Sequence, residues 1–229
     1  MPTIDFDEVE TLALSSQAAY GDGSADILGF TKVDNVDDSS TGFSLTIYKS
    51  LSGEEFIFAF RGTEFSSQDF YTDLNAGMKQ WSDNNSQVVA AKIREYTIGI
   101  PDAAIHFVGH SLGGTLAQFA AYEYAVAVAI PANATILTAS FDLVTFNALG
   151  AELALKDPVL YSRGYDEGLA ESFAAAHFKI KGDVISRLGD DHVGGSLLTI
   201  DKPIESNFAA HSMSHFTGSD GSLRVTSAQ

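Results

Sequence analysis

The sequence predicts an α/β fold with a mostly parallel central sheet and helices on both faces. Two observations predict it. Short β-rich runs alternate with segments of helical periodicity along the 229 residues, and one apolar run, IHFV, passes through glycines directly into the alanine-rich helix of HSLGGTLAQFAAYEY. No linker, fixed repeat or low-complexity tract divides the chain, so residues 1–229 are expected to form one domain.

Taken in order, Glu8 to Tyr20 reads as a helix with Val9, Leu12 and Ala13 on one face, closed by the glycines of YGDG. Phe43 to Tyr48 and Glu55 to Phe60 are β-rich runs joined by KSLSG, which predicts a hairpin. Ser86 to Tyr96 spaces Val89, Ile93 and Tyr96 as a helix does. Further strands are expected at Ala104 to Val108, Leu143 to Asn147, Ala176 to Ile180 and Leu197 to Ile200. Ligands of such sheets sit beyond the carboxyl ends of the strands, which directs attention to the residues just after each one.

Composition narrows the function. A formal charge of −17 and a pI near 4.4 give an acidic surface that repels nucleic acid and anionic membranes, so a nucleic-acid partner is not expected. The absence of cysteine removes disulfides, thiolate metal sites and cysteine nucleophiles. The start, MPTIDFDEVE, lacks a basic region followed by an apolar run, so no cleavable signal peptide is visible. The most apolar stretch, Thr115 to Leu137, is interrupted by Gln118, Glu123, Pro131 and Asn133, and fails as a membrane span.

Gly109, His110, Ser111, Leu112 and Gly113 spell G-x-S-x-G between a strand and a helix, the context of a nucleophile elbow. Glycines suit it because so sharp a turn crowds the neighbours of the serine. Ser111 is then expected to stand exposed above the sheet, with Leu112 offering its N–H to an oxyanion at a helix start. The plainer alternative is an N-capping serine in a glycine-rich turn. A serine hydroxyl needs a base, and an oriented histidine with a buried carboxylate supplies one. His106 and His110 read as packing residues, and His177 would lie at the wrong end of its strand. His192, His211 and His215 remain, and the hydrolase order of nucleophile, acid, base favours the last two. Asp183, just after a late strand, is the best-placed acid, with Asp190 and Asp191 as rivals; Asp142 is read as preceding its strand, and Asp157 and Asp166 as lying in a polar excursion. A second oxyanion donor is expected after FIFAF, where Gly62 lets the chain turn and Thr63 can aim its N–H and hydroxyl.

AFRGT from Ala59 to Thr63, DFYTDL around Phe70, GHSLGGTLA from Gly109 to Ala117, TFNALG from Thr145 and GDVISRLG from Gly182 resemble, in order, the blocks of the class 3 lipase family. That family contains the fungal triacylglycerol lipases and related bacterial lipases and phospholipases, and the likeness runs from about Leu12 to about Phe216. Phe70 stands where the family often has tryptophan, and Leu149 where it often has proline. The resemblance implies an α/β-hydrolase fold with Ser111 as nucleophile, Asp183 as acid and Thr63 in the oxyanion hole. It implies His211 over His215 as base, because an aromatic residue, Phe216, follows a few positions later. A lid over Glu64 to Trp81 is implied as well, with Ala151 to Ala175 as a second candidate.

The expected activity is hydrolysis of acyl lipid esters, triacylglycerol or phospholipid, through an acyl-enzyme, with no metal or organic cofactor. The expected partner is a lipid or ester substrate met at an interface by peripheral contact. Secretion follows from the family's habit, with a cytoplasmic location as the alternative. The competing expectations are a small-ester esterase, and a non-catalytic lipid-binding or calcium-dependent module suggested by YGDGSAD, DDHVGG and GSDGSL.

Overall fold

The computed structural model describes residues 6–21, 26–62, 79–100, 102–130, 133, 139–183, 185–186, 191–201 and 209–217. One sheet holds eight strands in sequential order: β1 (Asp26–Ile27), β2 (Phe30–Asp38), β3 (Phe43–Ser50), β4 (Glu55–Phe60), β5 (Ala104–His110), β6 (Ser140–Phe146), β7 (Ala174–Ile180) and β8 (Ser196–Ile200). The first four run antiparallel to one another and β4 to β8 run parallel.

Helices cover both faces, which is why the central strands are apolar almost without alternation. On β4, Phe56, Phe58 and Phe60 face one core, shared with α2 (Asp83–Thr97) and α3 (Leu112–Ala129). Ile57 and Ala59 face the other, shared with Val9, Leu12 and Ala13 of α1 (Phe6–Ala18) and with Met213 and Phe216. Helix α2 starts at Ser82, whose hydroxyl accepts the Asn85 N–H. Helix α3 has no such cap; 13 of its 18 residues are buried, so it is held by packing on nearly every side. Among the described residues, no helix is long and apolar enough to cross a membrane.

Three differences from the sequence reading have physical causes. β1 and β2 were not expected: FTKVDNVDD carries acidic residues and half-buried positions, the mark of a strand outside the doubly covered centre. Asp142 lies within β6, directly opposite His106 of β5, because the strand begins at Ser140, before its apolar part. Trp81, at the end of the first lid candidate, is core: its ring stacks 6.0 Å from Phe119 and contacts Phe43 and Phe60. Most of that candidate, 64–78, lies outside the described residues. In the second, α4 (Glu152–Lys156) and α5 (Glu167–Ala170) bury Leu155 and Ala170 in the core, while Leu153, Val159 and Leu160 are exposed.

Candidate active site

Ser111 sits between β5 and α3 with φ 58° and ψ −131°, a left-handed conformation that a residue with a β-carbon adopts only under strain of about 1–3 kcal/mol. Its N–H donates to the Phe146 carbonyl at 3.0 Å, and its own carbonyl accepts from the Gly114 and Thr115 N–H groups at 3.0 and 3.3 Å. The backbone is fixed on both sides. A β-carbon at Gly109 would come within 2.6 Å of the Gly114 nitrogen, and one at Gly113 within 2.8 Å of Arg61, so these two glycines allow β5, α3 and the end of β4 to meet. The serine makes no capping bond, which removes the N-cap alternative. Its Oγ is buried and has no hydrogen-bond partner among the described residues.

That burial differs from the exposed serine the sequence predicts. The Arg61–Gly62 turn presses on Gly113, and the short 3-10 turn Ala209–His211 presses on His110, so the elbow is enclosed from both sides.

Asp183 follows β7 and is fully buried. His211 Nδ1 donates to Asp183 Oδ1 at 3.1 Å, while the Ile185 and Ser186 N–H groups reach Oδ1 and Oδ2, each at 3.1 Å. Burial alone would raise the Asp183 pKa; the hydrogen bond and charge of His211, with the two backbone donors, outweigh it and hold it below the ordinary 3.8. The carboxylate is therefore ionised and acts only as acceptor. The His211 ring lies 4.7 Å from the ring of His110, the residue before Ser111, and His110 Nε2 donates to the His211 carbonyl at 2.6 Å. Three segments far apart in sequence thus converge at the carboxyl end of the parallel strands.

The sequence profile of the Tle-like phospholipase domain, described as phospholipase-like, matches residues 11–211. The chain belongs to the Tle-like phospholipase domain family. No curated protein sequence matches it. Among solved structures, it is similar to a triacylglycerol lipase from Penicillium expansum at 20% identity, covering 92% of this chain and 84% of that chain with a TM-score of 0.51. The Lip2 lipase of Yarrowia lipolytica shares 15% identity over 91% of this chain and 84% of its own, TM-score 0.54. A lipase from Rhizopus microsporus var. chinensis shares 15% over 80% and 68%, TM-score 0.52. At these identities the likeness is one of fold, and the fold is that of lipase α/β-hydrolases.

The remaining predicted positions of this Tle-like phospholipase domain are placed as follows. Leu112 is the first residue of α3, where N–H groups have no intrahelical acceptor. Thr63 and Asp190 lie outside the described residues. His215 Nε2 donates to the Ala209 carbonyl at 2.7 Å, and Asp191 is exposed, so neither takes the place of His211 or Asp183 in the buried contact. His192 stacks on His177 with ring centroids 4.4 Å apart; burial lowers its pKa to about 4 and that of His177 to about 3. His177 lies inside β7, where its Nε2 donates to the Gly194 carbonyl and its Nδ1 accepts from the Thr145 hydroxyl. Glu8, His106 and Asp142 form a group whose ligand atoms lie within 4.8 Å of one another, near enough for a metal ion. It sits five residues before Ser111 along β5, roughly 15 Å away, and cannot act on the same substrate atom.

Sequence reasoning missed two contributors. Tyr20 donates its hydroxyl to His110 Nδ1 at 2.8 Å; since Nε2–H is committed to the His211 carbonyl, that nitrogen is the acceptor. Burial, reinforced by the charge of His211, takes the His110 pKa to about 3, so the ring is neutral. Gln118, read only as a polar interruption, accepts from the Ala151 and Val193 N–H groups and donates to the Leu149 carbonyl, tying the loops after β6 and before β8 to α3. A glutamine within the alanine-rich helix was the available signal.

Proposed function

We propose that the protein is a serine carboxylester hydrolase that cleaves acyl esters of phospholipids through an acyl-enzyme. The observation that carries this reading is the hydrogen bond between the fully buried Asp183 and His211, delivered by separate loops to the elbow that strains Ser111. His211 keeps its Nδ1–H on Asp183, so Nε2 serves as base and takes the Ser111 proton while Oγ attacks the acyl carbonyl. The oxyanion that forms receives the Leu112 N–H at the helix start, and the N–H and hydroxyl of Thr63. The alkoxide leaving group takes the proton from His211. Water then attacks the acyl-enzyme with the same histidine as base, and the fatty acid departs.

Because Ser111 is buried, substrate entry requires a movement that uncovers it, which an acyl-lipid surface can favour and water cannot. The phospholipase family match favours phospholipid over triacylglycerol. The test is a panel of phosphatidylcholine vesicles, emulsified triacylglycerol and a soluble short-chain ester with purified protein. The expected result is release of fatty acid from phosphatidylcholine, reduced at least about a thousandfold in Ser111→Ala. Activity on the short ester alone would point to an esterase, and no activity on any of the three to a binding module.

A further inference from the structure

Asn147 stands at the carboxyl end of β6 with φ 45°, a left-handed conformation that asparagine tolerates better than most residues, and it is fully buried. Both ends of its side-chain amide are engaged. Nδ2 donates to the Ala210 carbonyl at 2.9 Å, and Oδ1 accepts the Ile180 N–H at 2.8 Å. Its backbone N–H donates to the Phe178 carbonyl at 2.7 Å.

Two of these partners, and the residue before Asn147, are each one step from a member of the proposed triad. Ala210 precedes His211. The Ile180 carbonyl accepts the Asp183 N–H at 3.0 Å. Phe146, the residue before Asn147, accepts the Ser111 N–H at 3.0 Å. One residue therefore holds the backbones of nucleophile, acid and base in a common frame. We infer that Asn147 is a positioning residue, which sets the distance from the His211 ring to Ser111 Oγ by fixing the Ala209–His211 turn to the ends of β6 and β7. This rests on the triad reading above, and it assigns to Asn147 a contribution to turnover and not to substrate binding.

The chemistry of the side chain makes the role specific. Aspartate keeps the acceptor for Ile180 but loses the donor and sets a carboxylate against the Ala210 carbonyl. Glycine tolerates the positive φ and loses both bonds. The experiment compares wild type with Asn147→Gly, Asn147→Asp, Ser111→Ala and a core variant outside the site, Val9→Ala, on the buried face of α1. Each is measured for melting temperature and for kcat and KM on a soluble short-chain ester across pH 5 to 9. The expected result is a fall in kcat on the order of a hundredfold in both Asn147 variants with KM little changed, because an error near 1 Å in the base costs about that much. Val9→Ala should lose melting temperature and keep kcat. Wild-type kcat in folded Asn147→Gly or Asn147→Asp overturns the inference, as does a loss that only follows the folded fraction. Should the glycine variant not fold, the aspartate variant decides by the same readings. Retained activity in Ser111→Ala would instead overturn the triad reading.

Discussion

Among the described residues, two part-buried histidine–aspartate pairs have nearly the same geometry and opposite positions. His106 Nδ1 meets Asp142 at 3.0 Å and His211 Nδ1 meets Asp183 at 3.1 Å. The first joins directly opposed residues of β5 and β6, within the sheet, with Glu8 of α1 as a second carboxylate at 3.1 Å. The second joins two loops that have left the sheet at its carboxyl end, beside the strained serine. A carboxylate holding an imidazole is thus no sign of catalysis by itself; an imidazole inside a strand is confined to its neighbours, whereas one beyond the strand ends can face a reacting atom.

The sharpest way to break this contrast is to remove each imidazole in turn. His211→Ala should lower kcat on a short-chain ester roughly a millionfold, the scale of losing a triad base, while His106→Ala should stay within about threefold of wild type. Comparable losses in two folded variants would erase the distinction. The carboxylates sharpen it. Asp183→Asn should cost about 10⁴ in kcat by presenting the wrong partner to Nδ1–H, and Asp142→Asn should leave kcat near wild type. Equal, small effects would mean that Asp183 only pins its own loop.

The smallest expected effect concerns pH and stability. Burial holds His110 and His177 at about 3 and His192 at about 4. As pH falls from about 6.5, the unfolded chain takes up protons that the folded chain refuses, so this stability is complete above 6.5 and is lost towards about pH 4 for His192 and about pH 3 for His110 and His177. Each such histidine contributes a slope of about 1.4 kcal/mol per pH unit in that window. His106 works the other way. Burial would lower its pKa, yet the hydrogen bond and charge of Asp142, with Glu8 and Glu55, raise it above 6.5, so its contribution is present below that value and fades as pH rises through the folded pKa. Urea midpoints at pH 5 and 7 should therefore differ less in His192→Phe than in wild type, and more in His106→Gln. An unchanged difference in His192→Phe would refute the buried neutral pair.

Much of the parallel half of the sheet was legible, because strands covered on both faces write long apolar runs and the elbow writes glycines at fixed spacing. β2 was not, since half-burial leaves FTKVDNVDD with no clear alternation of apolar and polar residues. The region around His211 could be narrowed but not resolved from the residues alone: two histidines four apart in AAHSMSHF have the same local chemistry, and only the folded turn brings one of them to Asp183. Asn147 carried no signal beyond a polar residue closing a strand. The role inferred for it rests on three partners that sequence separates by 31 to 63 residues, and long-range hydrogen bonds leave no local pattern.

The central claim is that Ser111 is made nucleophilic by the Asp183–His211 pair, and covalent labelling tests it most directly. Purified protein is treated with a fluorophosphonate, the adduct is located by peptide mass spectrometry, and the labelling rate is followed in wild type, Ser111→Ala, His211→Ala and His106→Ala, with folding checked by circular dichroism. The account predicts one adduct, on Ser111, formed at similar rates in wild type and His106→Ala, slowed by orders of magnitude in His211→Ala and absent in Ser111→Ala. An adduct on another residue, or undiminished labelling of Ser111 in folded His211→Ala, would contradict it.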